Sequence, residues 1–283
     1  MAGFANVREY IDAIRGGRET FSTIRKIPSQ ASTAGQWVDL SMAAGQPIPN
    51  YYASDPLTAA TLSKFRGIYH GDDKSPDYKF LTEIALATPT AAMVGRYMLL
   101  DYVLYYPFID MDSLDVQTMD NTVTLPRYET GDGLMAIGVA VAPTIGSGSF
   151  TFEYVNQSGV TKTSPTQLCG TSVANIASFV TSQPATVAGV GPFLKLADGD
   201  TGIRQINSVT MLGSNGGLMA LVLVRPITDI PILEINTVRE VSMVHFKPGP
   251  PRVYDGAYLG LICCTAGSVA AGTLAGHARF TWK

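Results

Sequence analysis

Between residues 134 and 282 short apolar runs recur at roughly ten-residue spacing, punctuated by Gly, Pro and Asn. No other feature narrows the fold so far. SFTFEYV at 149–155 alternates with period two, as a half-buried strand must. NQSG at 156–159 reads as a turn, and VTKT at 160–163 as the returning strand. Further strands are expected over 134–142, 206–212, 217–225, 232–246, 257–265 and 273–282. Asn215-Gly216 is a tight-turn signal between two of them. The ten-to-fifteen-residue helices that a parallel α/β sheet needs between its strands are missing. The expected fold is therefore mainly β, an antiparallel sandwich or jelly roll. One stretch departs from the pattern. Val173, Ile176, Ala177 and Val180 stand at helical spacing, so 172–180 reads as a short helix.

The first 58 residues read differently. In VREYIDAIR at 7–15, Val7, Tyr10, Ile11 and Ile14 fall on one helical face, and Gly16-Gly17 ends the helix. So short a helix is not stable alone in water and must dock. Arg15, Arg18, Arg25 and Lys26 make this stretch locally basic, offset by Glu9, Asp12 and Glu19. Pro28, Pro47, Pro49 and Pro56 forbid a long element over 28–58, yet Trp37, Val38, Leu40, Tyr51 and Tyr52 are too apolar for a free linker. The expected organisation is a short helical N-terminal arm with an extended, proline-containing wrapping segment over 1–58, and a β-rich domain over 59–283. Candidate partner-binding residues on the arm are Tyr10, Ile14, Arg15, Arg18, Phe21, Arg25, Trp37, Tyr51 and Tyr52. Beyond it, 56–66 can form a short helix capped by Asp55 or Ser54. Residues 72–76 form a polar loop. The aromatic run 96–107 favours a strand stopped by Pro107.

Composition bounds the chemistry. Lys and Arg total 20 against 23 Asp and Glu, a net charge of -3, which argues against a chain whose work is neutralising phosphates. No apolar run reaches membrane-span length, and the N-terminus lacks the apolar core of a signal peptide. Neither nucleic acid nor membrane is an expected partner. Cys169, Cys263 and Cys264 have no metal-ligand or redox spacing and read as structural thiols, with one of the adjacent pair facing a core. His70, His245 and His277 stand apart from any second ligand. DGDTG at 198–202 resembles part of a calcium loop but lacks the distal Glu and flanking helices, and reads as a turn. Asp110, Asp112, Asp115 and Asp120 form the densest acidic stretch. They could supply a glycosidase's carboxylate pair, but read as an exposed loop. The Gly clusters at 146–148 and 213–217 lack the Lys-Ser/Thr of a phosphate loop, and no nucleophile elbow occurs. No catalytic residue, cofactor or metal is expected.

Three stretches carry a resemblance: TFSTIRKIPSQASTAG at 20–35; LYYPFID at 104–110 with MDNTVTLPR at 119–127; and DGAYLG at 255–260 leading to GHARFTW at 276–282. Together they resemble a recurrent virion structural protein of tailed bacteriophages, of the minor-head or capsid-decoration type. The resemblance implies a place in a phage particle, assembled in the bacterial host cytoplasm, and carries no catalytic motif. The major capsid fold of such phages is disfavoured, because its long spine helix has no counterpart in the periodicity. The expected function is a decoration or minor capsid protein stabilising the head lattice, bound to the major capsid protein or other virion proteins. A neck, tail or fibre component is the alternative, though no fibre-like repeats occur. A soluble jelly-roll glycan-binding module or enzyme is the third reading. Low charge, 15% of residues, and many aromatics predict self-association, with a trimer favoured by analogy to jelly-roll virion proteins.

Overall fold

Residues 218–224 read LMALVLV, an unbroken apolar run where a half-buried strand would alternate. A run of this kind belongs to a strand covered on both faces. The computed structural model describes residues 4–145, 147–170, 174–182, 191–244, 249–270 and 272–283. In it the run lies in a sheet with a core on either side. Ala220, Val222 and Val224 enter one core, with Ile84, Leu86, Tyr97, Leu99 and Phe280. Met219, Leu221 and Leu223 enter the other, with Phe150, Phe152, Tyr154, Ile206 and Val209. Fully burying each such side chain stabilises the fold by about 1.5–3 kcal/mol. Truncating one leaves a cavity besides, so Leu223→Ala is expected to cost about 2–5 kcal/mol, read as a lowered urea midpoint at unchanged slope.

The elements in order are a helix α1 (Val7–Arg15) and strands β1 (Glu19–Ile27), β2 (Trp37–Asp39), β3 (Ala44–Gln46), β4 (Lys79–Ala87), β5 (Gly95–Asp110), β6 (Gln117–Thr118), β7 (Met135–Ala142) and β8 (Ser149–Asn156). They continue with β9 (Thr161–Thr163), β10 (Gln167–Leu168), β11 (Ile203–Gly213), β12 (Leu218–Ile232), β13 (Arg239–Ser242), β14 (Arg252–Val253), β15 (Tyr258–Thr265) and β16 (Leu274–Trp282). The first sheet runs β13-β4-β16-β1-β3, with β14 also on β4. The second, which holds LMALVLV, runs β2-β15-β5-β12-β7. The third runs β10-β8-β11-β6, with β9 on β8. Neighbouring strands are antiparallel throughout these sheets. The fold is thus mainly β and antiparallel, with one short N-terminal helix, as the periodicity implies.

The two outer strands of the second sheet are linked over part of their length. Residues 177–180 lie between its two outer strands and hydrogen-bond to both. On the β7 side Ala177 N donates to Ala140 O (2.9 Å), Ala140 N to Ser178 O (2.9 Å) and Val180 N to Gly138 O (3.0 Å). On the β2 side Asp39 N donates to Ala177 O (2.8 Å) and Phe179 N to Trp37 O (2.9 Å). The strands therefore close into a ring at this level, and closure pairs backbone groups of β2 and β7 that would otherwise stand open and invite aggregation. This is why the helix expected over 172–180 does not form over its described part, 174–180. A helix would take for itself the backbone groups that the ring uses. Residues 171–173 lie outside the described residues.

Other expectations are corrected. Residues 1–58 are not an arm laid over a separate β domain: β1 and β3 belong to the first sheet and β2 to the second. The alternation in ETFSTIRKI, which buries Ser22, Ile24 and Lys26, carried that signal. Residues 56–66 form no helix beyond a single 3-10 turn at Lys64–Arg66: the chain turns at 56–57, with Leu57 at φ 60, and Ala60 then exchanges both backbone hydrogen bonds with Tyr105 (2.9 Å each). Pro107 does not stop its strand. Pro107 and Phe108 together face Ala220 across the β5–β12 ladder, a bulge that absorbs the missing N–H. Over 232–246 the chain leaves the second sheet at Ile232, exposes Leu233 and Val238, and pairs again only at β13; residues 245–248 lie outside the described residues. Asn215-Gly216 does turn, with Gly216 at φ 59 and Gly217 at φ 75, but it passes the chain between sheets rather than forming a hairpin.

Candidate functional site

Asn6 caps α1, its side chain accepting from Glu9 N (3.0 Å). A Lys283–Glu9 ion pair (2.6 Å) and the Phe4–Phe80 ring contact hold the helix against the first sheet. Ala13 is its buried residue, and Tyr10 and Ile14 are half-buried. Val7 and Ile11, on the face expected to dock, are 52% and 40% exposed. Arg15 is exposed and Arg18 half-buried.

The odd residues of β1 point away from the core. Phe21, 51% exposed, stacks on His277 (4.9 Å between ring centres) under the Arg279 guanidinium (5.1 Å). His277 and Arg279 both reach Glu83 Oε1 (2.7 and 3.2 Å), and Arg279 also reaches Glu19 (3.4 Å). One aromatic ring is thus seated in a charge network spanning β1, β16 and β4, with Arg25 exposed farther along. Tyr51 is exposed as well.

Trp37 and Tyr52, by contrast, are core residues and offer nothing to a partner. Trp37 N donates to Ser182 Oγ (2.6 Å), and the Tyr52 hydroxyl binds Asp39. Asp39 is fully buried. It also accepts from Tyr102 Oη (2.8 Å), Ser41 N (2.8 Å) and Ser41 Oγ (2.8 Å). Burial raises its pKa, and these donors oppose the rise. The sequence pattern alone does not single out this cluster. The Asp-x-Ser spacing of a side-chain cap, Asp39 to Ser41, was the available signal.

A second buried group joins β5 to the loop before β7. Arg127 Nε donates to Asp101 Oδ2 (2.7 Å) and Nη2 binds Asp101 Oδ1. Nη2 also donates to Tyr102 O (2.7 Å) and Nη1 to Gly256 O (3.2 Å), while Tyr128 Oη donates to Asp101 Oδ2 (3.1 Å). Nearby, a cleft of about 510 Å³ is lined by Tyr78, Arg127, Arg252, Tyr254 and Asp255. The Arg252 guanidinium lies over both Tyr78 (4.2 Å) and Tyr254 (4.3 Å).

His70 is buried in a relay. Lys79 Nζ donates to His70 Nδ1 (3.0 Å), and His70 Nε2–H donates to Ala257 O (2.9 Å). Lys79 also pairs with Asp255 (3.4 Å). Burial, and then the Lys79 charge, push the imidazole down to about 4 from 6.5. Between these values the unfolded chain binds a proton that the folded chain does not. Stability is therefore expected to rise by about 3 kcal/mol from pH 4 to pH 6.5. Denaturant melts across that window check it, and His70→Gln should flatten the slope. Burial likewise lowers Lys26 to about 8, so a second rise is expected between pH 8 and pH 10.5.

Asp200 accepts from Tyr154 Oη (2.5 Å) and Asn156 Nδ2 (2.8 Å), which makes 198–202 a tied turn. Asp110, Asp112 and Asp115 are exposed, in and after the end of β5. Cys169 and Cys263 are buried and Cys264 is half-buried, so the adjacent pair divides between interior and surface as a strand requires. Burial pushes the Cys169 thiol up to about 12. Among the described residues no cluster of His, Cys, Asp and Glu could hold a metal ion, and no helix is long and apolar enough to cross a membrane. His245 and Gly146 lie outside the described residues.

No family model and no curated protein matches the chain. Among solved structures, T=1 particles derived from infectious bursal virus superpose with a TM-score of 0.18 at 11% identity, over 93% of this chain and 77% of that one. The infectious bursal disease virus Gt strain structure gives 0.18 at 10% identity, over 94% and 80%. Likeness at that level assigns neither fold nor function.

Proposed function

We propose that this chain is a virion structural protein of a tailed bacteriophage, a decoration or minor capsid protein that stabilises the head lattice. The observation that carries the reading is where the apolar surface lies. Val7 and Ile11 on α1, Phe21 and Ile27 on β1, and Ile48 and Tyr51 after β3 are all exposed within the first 51 residues, while further exposed apolar residues, Phe65, Leu114, Val116, Ile145 and Leu233 among them, lie elsewhere in the chain. Apolar side chains left exposed on α1 and β1 together offer surface that a partner could cover. The resemblance of 20–35, of 104–110 with 119–127, and of 255–260 with 276–282 to phage virion proteins points the same way. Two of those stretches meet in the fold, since β1 pairs with β16. The partners are the major capsid protein or other virion proteins, and further copies of this chain, most simply as a trimer. Tyr10, Ile14, Arg15, Arg18, Phe21, Arg25 and Tyr51 remain the proposed contacts. The test is protein composition of purified particles, with the chain's density located in a particle map. Fixed stoichiometry on the head supports the reading, density at the neck or tail moves it there, and absence from particles overturns it.

The glycan-binding reading is favoured by one observation, the Tyr78–Arg252–Tyr254 cleft, which offers ring edges and polar groups together. Saturable saccharide binding lost in Tyr78→Ala would support it.

A further inference from the structure

At the seam of the ring the fold leaves a second void, of about 410 Å³, that is largely apolar. Its walls come from separate parts of the chain: Val38, Met42, Tyr51, Phe108, Val141 and Ala177. Ligand pockets fall in this size range and have this character. Three residues with side chains take the left-handed backbone conformation at or beside it. They are Tyr52 (φ 36), Phe108 (φ 57) and Ala177 (φ 73). Each such residue costs on the order of 1–3 kcal/mol and persists where the surroundings hold a shape. Here they turn the chain around the same void.

We propose that this void is a binding site for a neutral, apolar small molecule. The polar group that decides the charge is Asp39. Its carboxylate already accepts from Ser41, Tyr52 and Tyr102, so it has little left to offer a cation and would repel an anion. Water in an apolar void of this size is poorly held, and its displacement favours an apolar guest. The walls close from several sides, which suits a compact molecule rather than an extended peptide. The proposal does not depend on the virion reading.

The test is a titration of the full chain with the neutral dye N-phenyl-1-naphthylamine. One saturable site is expected, with 1-decanol displacing the dye at least tenfold more effectively than decanoate. Ala53→Trp narrows the mouth from an exposed position, and Val141→Phe fills the void from β7. Each should weaken dye binding at least tenfold, and a melt of each variant shows that it is folded; if one does not fold, the other decides. No saturable binding, equal displacement by decanoate, or unchanged affinity in the folded variants would overturn the proposal. Binding that appears only on dilution to monomer would also overturn it, assigning the void to a second copy of the chain.

Discussion

Deleting residues 1–27 is expected to abolish cooperative folding. The deletion removes β1, which pairs with β16 from Glu19 to Lys26 and with β3 from Arg25 to Ile27. Lost hydrogen bonds contribute about 0.5–1.5 kcal/mol each, and lost burial of Ile24 another 1.5–3 kcal/mol. Together these are comparable to the whole stability of a domain, about 5–15 kcal/mol. β3 would then have no neighbour, and β16 would present an open edge in the middle of its sheet. Deleting only residues 1–17 removes α1 and should leave a folded, less stable protein. Circular dichroism melts separate the outcomes. A sharp transition in the longer deletion, near that of the full chain, would restore the view of this segment as an arm.

Arg127→Ala is expected to cost about 3–5 kcal/mol, the range for removing one partner of a buried ion pair. The Asp101 carboxylate, about 1% exposed in the intact protein, would keep only Tyr128 among its present side-chain donors. Tyr102 O and Gly256 O would each lose the guanidinium donor as well. Lysine should rescue little, because one ammonium cannot reproduce the planar fork. Replacing both charges, as Asp101→Leu with Arg127→Met, should cost less than Arg127→Ala alone, since no charge is left buried without a partner. Urea melts of the single and double variants measure the difference; equal losses would show that an unpaired buried charge is not the source of the cost.

What was legible in the chain follows from where each signal resides. Strands with one face on a core announce themselves by alternation, as β8 does with Phe150, Phe152 and Tyr154. Strands buried on both faces still read through length and apolarity, as β12 does, although its span past Pro226 was invisible. The failures share a cause. Residues 174–180 and 56–66 have helix-compatible spacing, and their conformation is set by backbone partners far away in sequence, which no local pattern reports. The interaction residues divided for a related reason. Phe21 and Tyr51 are exposed and Trp37 and Tyr52 buried, and residue type alone does not separate them. Tyr52 is held inside by Asp39, and polar clusters of that kind are assembled only by the tertiary fold.

The closed ring also bears on the order in which this chain can reach its final state. Its members run from Trp37 in β2, through residues 177–180, to Thr265 in β15. During synthesis β2 therefore emerges long before β15 exists to receive it. Until then its strand neighbour is missing, and the seam contacts at Ala177 can close only on a β2 that nothing yet ties to β5. The N-terminal part of the chain must wait, partly unpaired, for nearly the whole polypeptide to leave the ribosome. Pairings so distant in sequence slow folding, because the entropy of closing long loops comes before the contacts that reward it. A chain interrupted before residue 258 would lack the strand that joins β2 to β5, and its exposed strands would pair with other chains instead.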